Sequence, residues 1–233
     1  MRRTTILTAS LLLAALPSLH AQNSRLAHSL AELDKASASF RGATAEVTSD
    51  LYEAVTHEHT IQNGAIYFLR SSGTMEMGSY IDAPHSSTQR ERVIAYKNGV
   101  LQIFDPAQNH IDEFKSSNGQ ADQYLTLGFG GSGMDLARSW NITDDGPVTM
   151  AADGKPLTVE KLELVSKDAN VRQNFSKVTL WVDLTHAVSL RQLFDTPSGD
   201  SRNATYSHIR LTDHVDTKPF AIHRGRKTTV TAH

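Results

Sequence analysis

The spacing of apolar residues along the chain changes near residue 42. In Ser24–Phe40, leucines at positions 26, 30 and 33 recur at the spacing of one helix face, and Gly42 follows. Beyond Gly42, apolar residues tend to alternate with polar ones, which is typical of strands that bury one face. The pattern therefore predicts an amphipathic N-terminal helix followed by a region rich in β-strands.

The alternating region divides into short predicted strands separated by turn residues. These strands are Ala43–Tyr52, Ala65–Arg70, Thr74–Ile81, Gln89–Lys97, Val100–Phe104, Asn109–Phe114, Leu157–Val165, Lys177–Leu184, Ser189–Asp195 and Ala204–Leu211. Asn98-Gly99 joins two of them and is a strong hairpin signal. Asn63-Gly64 is a second predicted turn.

Two helical stretches, Ala121–Leu127 and Ser132–Trp140, interrupt the strands and flank a glycine-rich loop at residues 128–133. The loop matches the GxGxxG pattern, but a dinucleotide site needs that pattern directly after a strand. We therefore interpret the loop as a flexible connection between helices and predict no cofactor. Together the elements predict an α+β fold, with a single antiparallel sheet and helices on one side.

The first 21 residues have the three-part pattern of a secretory signal peptide. Arg2-Arg3 precedes an apolar run from Ile6 to Leu16, and Ala21 supplies the small residue before a cleavage point. The run is too short to span a bilayer comfortably, although an uncleaved anchor or a buried helix is the alternative. We predict a mature domain of residues 22–233. Export of a chain without cysteine favours the bacterial periplasm.

Composition excludes several classes of function. The 233 residues are 39% hydrophobic with a formal net charge of −2, so no basic excess is present to hold a nucleic acid. The absence of cysteine rules out thiolate metal sites and cysteine nucleophiles. Ser132 lacks the GxSxG context of a hydrolase nucleophile because Met134 occupies the last position. We predict no catalytic residue.

One histidine cluster could hold a metal. His57 and His59 are spaced to share one strand face, and Asp183 and His186 could approach them in the fold. A polar loop before Asn63-Gly64 is the favoured interpretation, so no metal site is predicted.

The order of segments resembles that of the LolA-like family, periplasmic carriers that ferry lipoproteins toward the outer membrane. The resemblance rests on the helix Leu26–Phe40, the segment Gly64–Arg70, the glycine-rich stretch Leu125–Leu136 and, most specifically, the hairpin Lys97–Pro106. It implies a strongly curved antiparallel sheet, an open half barrel, covered on its concave face by helices. It also implies a hydrophobic cavity, lipid or lipidated-protein cargo, an inner-membrane donor complex, an outer-membrane acceptor and a monomer.

Apolar residues beside the glycine-rich loop or on neighbouring strands are the candidates for lining that cavity. They are Ile66, Phe68, Met75, Met77, Leu127, Phe129 and Trp181. Ile66 and Phe68 share a face with Arg70, which lies where the family places a basic residue that controls closure of the lid. Arg70 is therefore the gating candidate, while ordinary core packing is an equally good interpretation of the apolar residues.

Three functions follow from the sequence. The first is a periplasmic carrier of lipoproteins or lipids, without catalysis. The second is a sensor or scaffold of the same fold that binds the lipidated end of another protein. The third is a secreted hydrolase or metal-binding enzyme, which zinc bound at His57 and His59 would support.

Overall fold

The structure is a computed structural model, and it describes residues 17–71, 73–115 and 127–233. Its helices are α1 (Pro17–Ser39), α2 (Gly133–Ser139) and α3 (Ala169–Asn174), with a 3-10 turn at Lys218–Phe220. Its strands are β1 (Gly42–Glu53), β2 (Glu58–Ser71), β3 (Thr74–Asp82), β4 (Arg90–Lys97), β5 (Val100–Asp105), β6 (His110–Lys115), β7 (Trp140–Ala152), β8 (Lys155–Ser166), β9 (Lys177–Asp183), β10 (Val188–Asp195), β11 (Ser201–Leu211) and β12 (Thr229–Ala232).

These strands form one twelve-stranded sheet in the order β12-β6-β5-β4-β3-β2-β1-β11-β10-β9-β8-β7. Neighbouring strands are antiparallel, except that β12 pairs with β6 in parallel. The sheet is open, with β12 and β7 at its two edges, and irregularities in register interrupt several pairs, such as β1–β11 and β7–β8. Irregularities of this kind increase local twist. The predicted α+β half barrel is therefore confirmed.

Helix α1 packs on one face of the sheet, because its apolar side chains lie on one side. Leu33 and Ala36 join a buried cluster that includes Leu162, Leu180 and other side chains of β8–β10. Phe40, just past the helix, joins a second cluster on β1–β4, β10 and β11. The helix thus bridges both halves of the concave core.

The opposite face of β2 and β3 is covered by the segment after β11. Phe220 packs against Tyr67 and Tyr80, with ring centroids 4.9 and 5.3 Å apart, and Val215 is buried beside them. The chain then returns to the sheet as β12. Among the helices that the structure describes, none is both long and apolar enough to cross a membrane.

Several predicted boundaries are confirmed or corrected. Lys97 and Val100 pair across Asn98-Gly99, and both turn residues have positive φ, as the predicted hairpin requires. The turn predicted at Asn63-Gly64 is wrong, because both residues lie within β2 and pair with β1. A Cβ on Gly64 would lie 1.9 Å from the Tyr80 carbonyl oxygen, so this glycine permits close approach of β3.

The remaining differences concern element ends. Helix α1 begins at Pro17 rather than at Ser24, and the predicted cleavage point after Ala21 lies within it. Strand β7, Trp140–Ala152, was not predicted. The predicted helix Ala121–Leu127 lies outside the described residues except for Leu127, and so does most of the predicted signal peptide.

Candidate functional site

A cavity of about 440 Å³ lies between α1, α2, the glycine-rich loop and the concave face of the sheet. Its apolar wall combines side chains from all of these elements. They are Leu33, Met75, Leu127, Leu136, Trp140, Leu180, Val182 and Ala187. Its polar wall includes Ser37, Arg70, Asp135 and Arg138. An enclosure of this size and mixed lining is typical of a ligand site.

The glycine-rich loop is hydrogen-bonded to the sheet, contrary to its interpretation as a flexible connection. The Ser189 amide donates to the Gly128 carbonyl at 2.7 Å, and the Gly130 amide donates to the Ala187 carbonyl at 2.7 Å. Phe129 thereby forms a bridge to Val188. The first part of the loop is therefore a short strand-like segment docked on β10.

The glycines allow this docking because the loop lies against other atoms at van der Waals distance. A Cβ on Gly130 would lie 2.3 Å from the Phe40 ring, and one on Gly128 would lie 2.1 Å from Ser189 Oγ. Both glycines also have positive φ. Gly131 differs, since a Cβ there would meet no described atom within 4 Å, although Gly131 lines the cavity.

A chain of hydrogen bonds from Tyr206 through Gln192 holds the start of the loop against the sheet. Gln192 Nε2 donates to the Leu127 carbonyl at 2.6 Å, and Tyr206 Oη donates to Gln192 Oε1 at 3.0 Å. Burial raises the pKa of Tyr206 to about 12, so its hydroxyl stays protonated and remains a donor. The side-chain amide is thus satisfied on both sides within a buried environment.

Arg70 reaches from the end of β2 to the loop. Its Nη2 donates to the Gly130 carbonyl at 2.6 Å and lies 3.3 Å from Ser37 Oγ. Ser37 Oγ donates to the same carbonyl at 2.7 Å. The buried Nε of Arg70 has no hydrogen-bond partner among the described residues. Arg70 therefore links the sheet, α1 and the loop at the cavity wall, while its gating role stays a prediction.

The apolar candidates divide between the cavity and the core. Met75 and Leu127 line the cavity. Phe68, Met77 and Phe129 are buried in the cluster around Phe40 instead, and Ile66 packs against that cluster. The Phe129 ring stacks on Phe68 with centroids 4.2 Å apart. These four residues support the wall rather than form it.

Trp181 requires a correction. Leu180 and Val182 line the cavity, so the alternation along β9 directs Trp181 to the opposite face. There the Arg191 guanidinium carbon lies 4.5 Å from its ring centroid, a cation–π contact. Trp181 is thus outside the cavity. Leu180 and Val182 were not among the predicted cavity residues, and the alternation of apolar residues along β9 is the signal that could have found them.

Helix α2 is fixed over the cavity by polar contacts at its N-terminus. Ser132 Oγ accepts from the Asp135 amide at 3.0 Å and caps the helix. Asp34 of α1 accepts from the Met134 amide at 3.0 Å. A Cβ on Gly133 would lie 2.1 Å from the Leu30 carbonyl oxygen, so α1 and α2 touch through backbone. The two helices therefore form one cover.

A second polar cluster ties the N-terminal half of α1 to β7 and β8. Asp144, which is fully buried, accepts from Ser29 Oγ at 2.8 Å, from Arg25 Nε at 3.2 Å and from the Gly146 amide at 2.9 Å. Glu160 lies beside it, and its Oε1 is 4.0 Å from Arg25 Nε. Burial and the adjacent Asp144 carboxylate raise the pKa of Glu160 to about 7.

The histidine cluster is not assembled as the metal hypothesis required. His57 and His59 lie at the β1–β2 turn, where their Nδ1 atoms are 2.8 Å from Tyr52 Oη and Asp50 Oδ1. Asp183 and His186 lie at the other end of the neighbouring strands, about 20 Å away along β9. The described residues contain no group of three or more potential ligands arranged to hold a metal ion.

No family model matches the sequence, and no curated protein matches it. Solved structures do. An uncharacterized conserved protein from Thermus thermophilus aligns over 91% of this chain and 100% of its own, with 11% identity and a TM-score of 0.53. MucB aligns over 86% of this chain and 63% of its own, with 13% identity and a TM-score of 0.51.

A LolA superfamily protein from Nitrosomonas europaea is also among the matches. It aligns over 84% of this chain and 97% of its own, with 18% identity and a TM-score of 0.39. At such identities the likeness to the first two structures shows a common fold and says nothing of activity, and the third adds no argument.

Proposed function

We propose that the protein is a non-catalytic periplasmic carrier that holds acyl chains of lipoproteins or of other lipids and delivers them toward the outer membrane. The observation that carries the proposal is the cavity of about 440 Å³ beneath α1 and α2. Its apolar wall suits hydrocarbon, and its polar edge at Ser37 and Arg70 suits the head of such a ligand.

Carrying hydrocarbon through water needs burial and release rather than chemistry. Each methylene removed from water contributes roughly 0.8 kcal/mol, so a chain of about fourteen methylenes gains roughly 11 kcal/mol. A carrier must provide that burial and still yield the chain to an acceptor. An open sheet with a separate helical cover meets both needs, because the cover can move without disrupting the strand ladder.

Arg70 supports a gating role because its contacts join the parts that would separate. Its hydrogen bond to the Gly130 carbonyl and its approach to Ser37 link β2, the loop and α1. A hydrogen bond to a charged group contributes roughly 1.5–3 kcal/mol, enough to bias the cover toward closure. Cargo that enters would break this link, and its departure would restore it.

The proposal includes an export signal and partners on both membranes. Residues 1–21 would be removed on export, leaving Gln22 as the first residue, and N-terminal sequencing of periplasmic protein tests this. The mature monomer would receive cargo from an inner-membrane donor complex and pass it to an outer-membrane acceptor. Detection of Met1 on the periplasmic form would overturn the processing step.

A sensor or scaffold that binds a lipidated or partner protein is the second candidate. It is favoured by the fold shared with MucB, a protein that has been solved in complex with MucA from Pseudomonas aeruginosa. Loss of this protein separates the two candidates. A carrier is needed for normal levels of lipoprotein in the outer membrane, whereas a sensor is not.

The binding test uses an apolar fluorescent probe and a cavity-filling variant. Wild type should bind the probe at low-micromolar affinity and release it to fatty acid or lipopeptide. Gly131→Trp should weaken binding at least about tenfold, since position 131 lines the cavity, has no described atom within 4 Å of its Cβ position and lacks a positive φ. Gly225→Trp, at a position that does not line the cavity, is the matched control. Failure of wild type to bind would refute the proposal.

A further inference from the structure

The cluster that joins α1 to β7 and β8 contains more negative than positive charge. Asp144 is fully buried, and Glu160 is 9% exposed. The opposing cation is Arg25, whose Nε lies 3.2 Å from Asp144 Oδ1 and 4.0 Å from Glu160 Oε1. Two ionised carboxylates with one guanidinium would leave one uncompensated buried charge, which is costly.

The hydrogen bonds show which of the two carboxyl groups is stabilised in its ionised form. Asp144 receives Ser29 Oγ on Oδ2, and Arg25 Nε and the Gly146 amide on Oδ1. Glu160 Oε1 is buried and has no hydrogen-bond partner among the described residues. Three donors suit an ionised Asp144, whereas the unpartnered oxygen of Glu160 suits a carboxyl that carries a proton.

No other described charge corrects the imbalance. The positions that pair with Glu160 across the sheet are Pro147 on β7 and Val182 on β9, which carry no charge. The nearest surface charges on the same hairpin, Asp145 and Lys161, pair with each other at 2.7 Å on the opposite face. Protonation therefore decides whether the cluster is neutral.

From this geometry we infer that Glu160 holds a proton beside the ionised Asp144, and that loss of this proton loosens the N-terminal half of α1 from β7 and β8. With the proton, the two carboxyls and Arg25 sum to zero charge. Without it, two negative charges face each other in a buried site. Their repulsion is reduced when α1, which carries Arg25 and Ser29, separates from the sheet and water enters.

The loosened helix is also the cover of the cavity, because Leu33 and Ser37 lie one and two turns beyond Ser29 and line it. Proton uptake would then favour the closed cover, and proton loss would favour access. This last consequence rests on the proposed function, but the anchor itself does not.

Hydrogen exchange of the α1 amides tests the anchor in ligand-free protein. After correction for intrinsic rates, protection around Ser29–Leu33 should fall at least about tenfold between pH 5 and pH 8, the change that one pKa unit represents. Glu160→Gln supplies a neutral donor in place of the proton, so its protection should change less than about twofold. Glu163→Gln, on the opposite face of β8 and paired with Lys177 at 3.3 Å, should behave as wild type.

Carbon-13 NMR of the side-chain carboxyls gives a second readout, and its wild-type part does not depend on the folding of a variant. One carboxyl resonance should titrate near neutral pH in wild type and be missing in Glu160→Gln. Constant protection from pH 5 to pH 8, an equal fall in Glu160→Gln, or titration of every carboxyl below about pH 5 would overturn the inference. Intact pH-dependent protection with no probe binding would instead reject the proposed cargo.

Discussion

Helix α1 is attached to the sheet by two polar anchors. They have the same kinds of hydrogen-bond donor and differ in the hydrogen-bond acceptor. Each anchor uses one serine of α1 and one arginine. The N-terminal anchor joins Ser29 and Arg25 to the Asp144 carboxylate, and the C-terminal anchor joins Ser37 and Arg70 to the Gly130 carbonyl. Ser29 and Ser37 are about 12 Å apart along the helix.

The different acceptors give the anchors different sensitivities. A backbone carbonyl has no proton to gain or lose, so the C-terminal anchor responds to competing hydrogen-bond groups or to bulk in the cavity. The Glu160 carboxyl beside Asp144 can gain or lose a proton, so the N-terminal anchor responds to pH. Each anchor also contains one buried polar atom with no hydrogen-bond partner among the described residues, Arg70 Nε or Glu160 Oε1. Such atoms reduce the stability of an anchor and make it easier to open.

The largest expected effect is loss of the buried acceptor in the N-terminal anchor. Asp144→Ala leaves Ser29 Oγ and the Gly146 amide without their partner, and we expect it to lower the free energy of unfolding by roughly 2–4 kcal/mol. Denaturant titration measures this. Asp145→Ala removes only an exposed pair with Lys161 and should cost about 0–1 kcal/mol. Equal effects of the two substitutions would refute the anchor.

The pH dependence of stability is the next effect in size. The folded-state pKa of Glu160, about 7, lies above its ordinary value of 4.5. The folded protein therefore holds this proton more tightly than the unfolded chain does. The associated stability is complete below pH 4.5 and is lost as pH rises to 7.

We expect this loss to be on the order of 2 kcal/mol between pH 5 and pH 8. The measurement is the difference between wild type and Glu160→Gln in denaturant titrations at both pH values, because that difference cancels the other titrating groups. A difference that does not change with pH would contradict the assignment.

A matched pair of serine substitutions compares the anchors directly. Ser29→Ala takes the hydroxyl donor from a buried carboxylate oxygen and should cost about 1–2 kcal/mol. Ser37→Ala should cost less than about 1 kcal/mol, because the Gly130 carbonyl keeps its bond from Arg70. Only the cost of Ser29→Ala should vary with pH. The reverse order of costs would show that the carbonyl anchor is the stronger one.

The sequence predicted a role for Arg70 of the C-terminal anchor, but it did not reveal the N-terminal anchor. Arg70 could be placed on a face with Ile66 and Phe68 because strand alternation is local. The proximity of Asp144 to Glu160 was hidden, because β7 is a strand whose alternation is broken by a bulge between Asp144 and Gly146.

The other differences have similar causes. Asn63-Gly64 has the composition of a turn, but the close approach of β3 to β2 determines its conformation. The glycines of the loop indicated flexibility, whereas Gly128 and Gly130 permit tight contacts with Ser189 and Phe40. In both places tertiary packing, which a single sequence does not display, determines the structural role of the glycine.

The smallest expected effect on stability belongs to Arg70→Leu. The substitution loses a charged hydrogen bond but also removes the buried, unpartnered Nε, and Ser37 continues to donate to the Gly130 carbonyl. We therefore expect a change within about 1 kcal/mol in the free energy of unfolding.

Because the cover is less firmly closed and the cavity wall gains hydrocarbon, probe binding by Arg70→Leu should stay equal or become tighter. Handover of bound lipopeptide to acceptor vesicles should slow, since no link re-forms behind departing cargo. Arg41→Leu is the control, because among the described residues the Arg41 side chain donates only to the nearby carbonyls of Ala38 and Phe40. Normal handover by Arg70→Leu would end the gating role while leaving the cavity and the pH-sensitive anchor untouched.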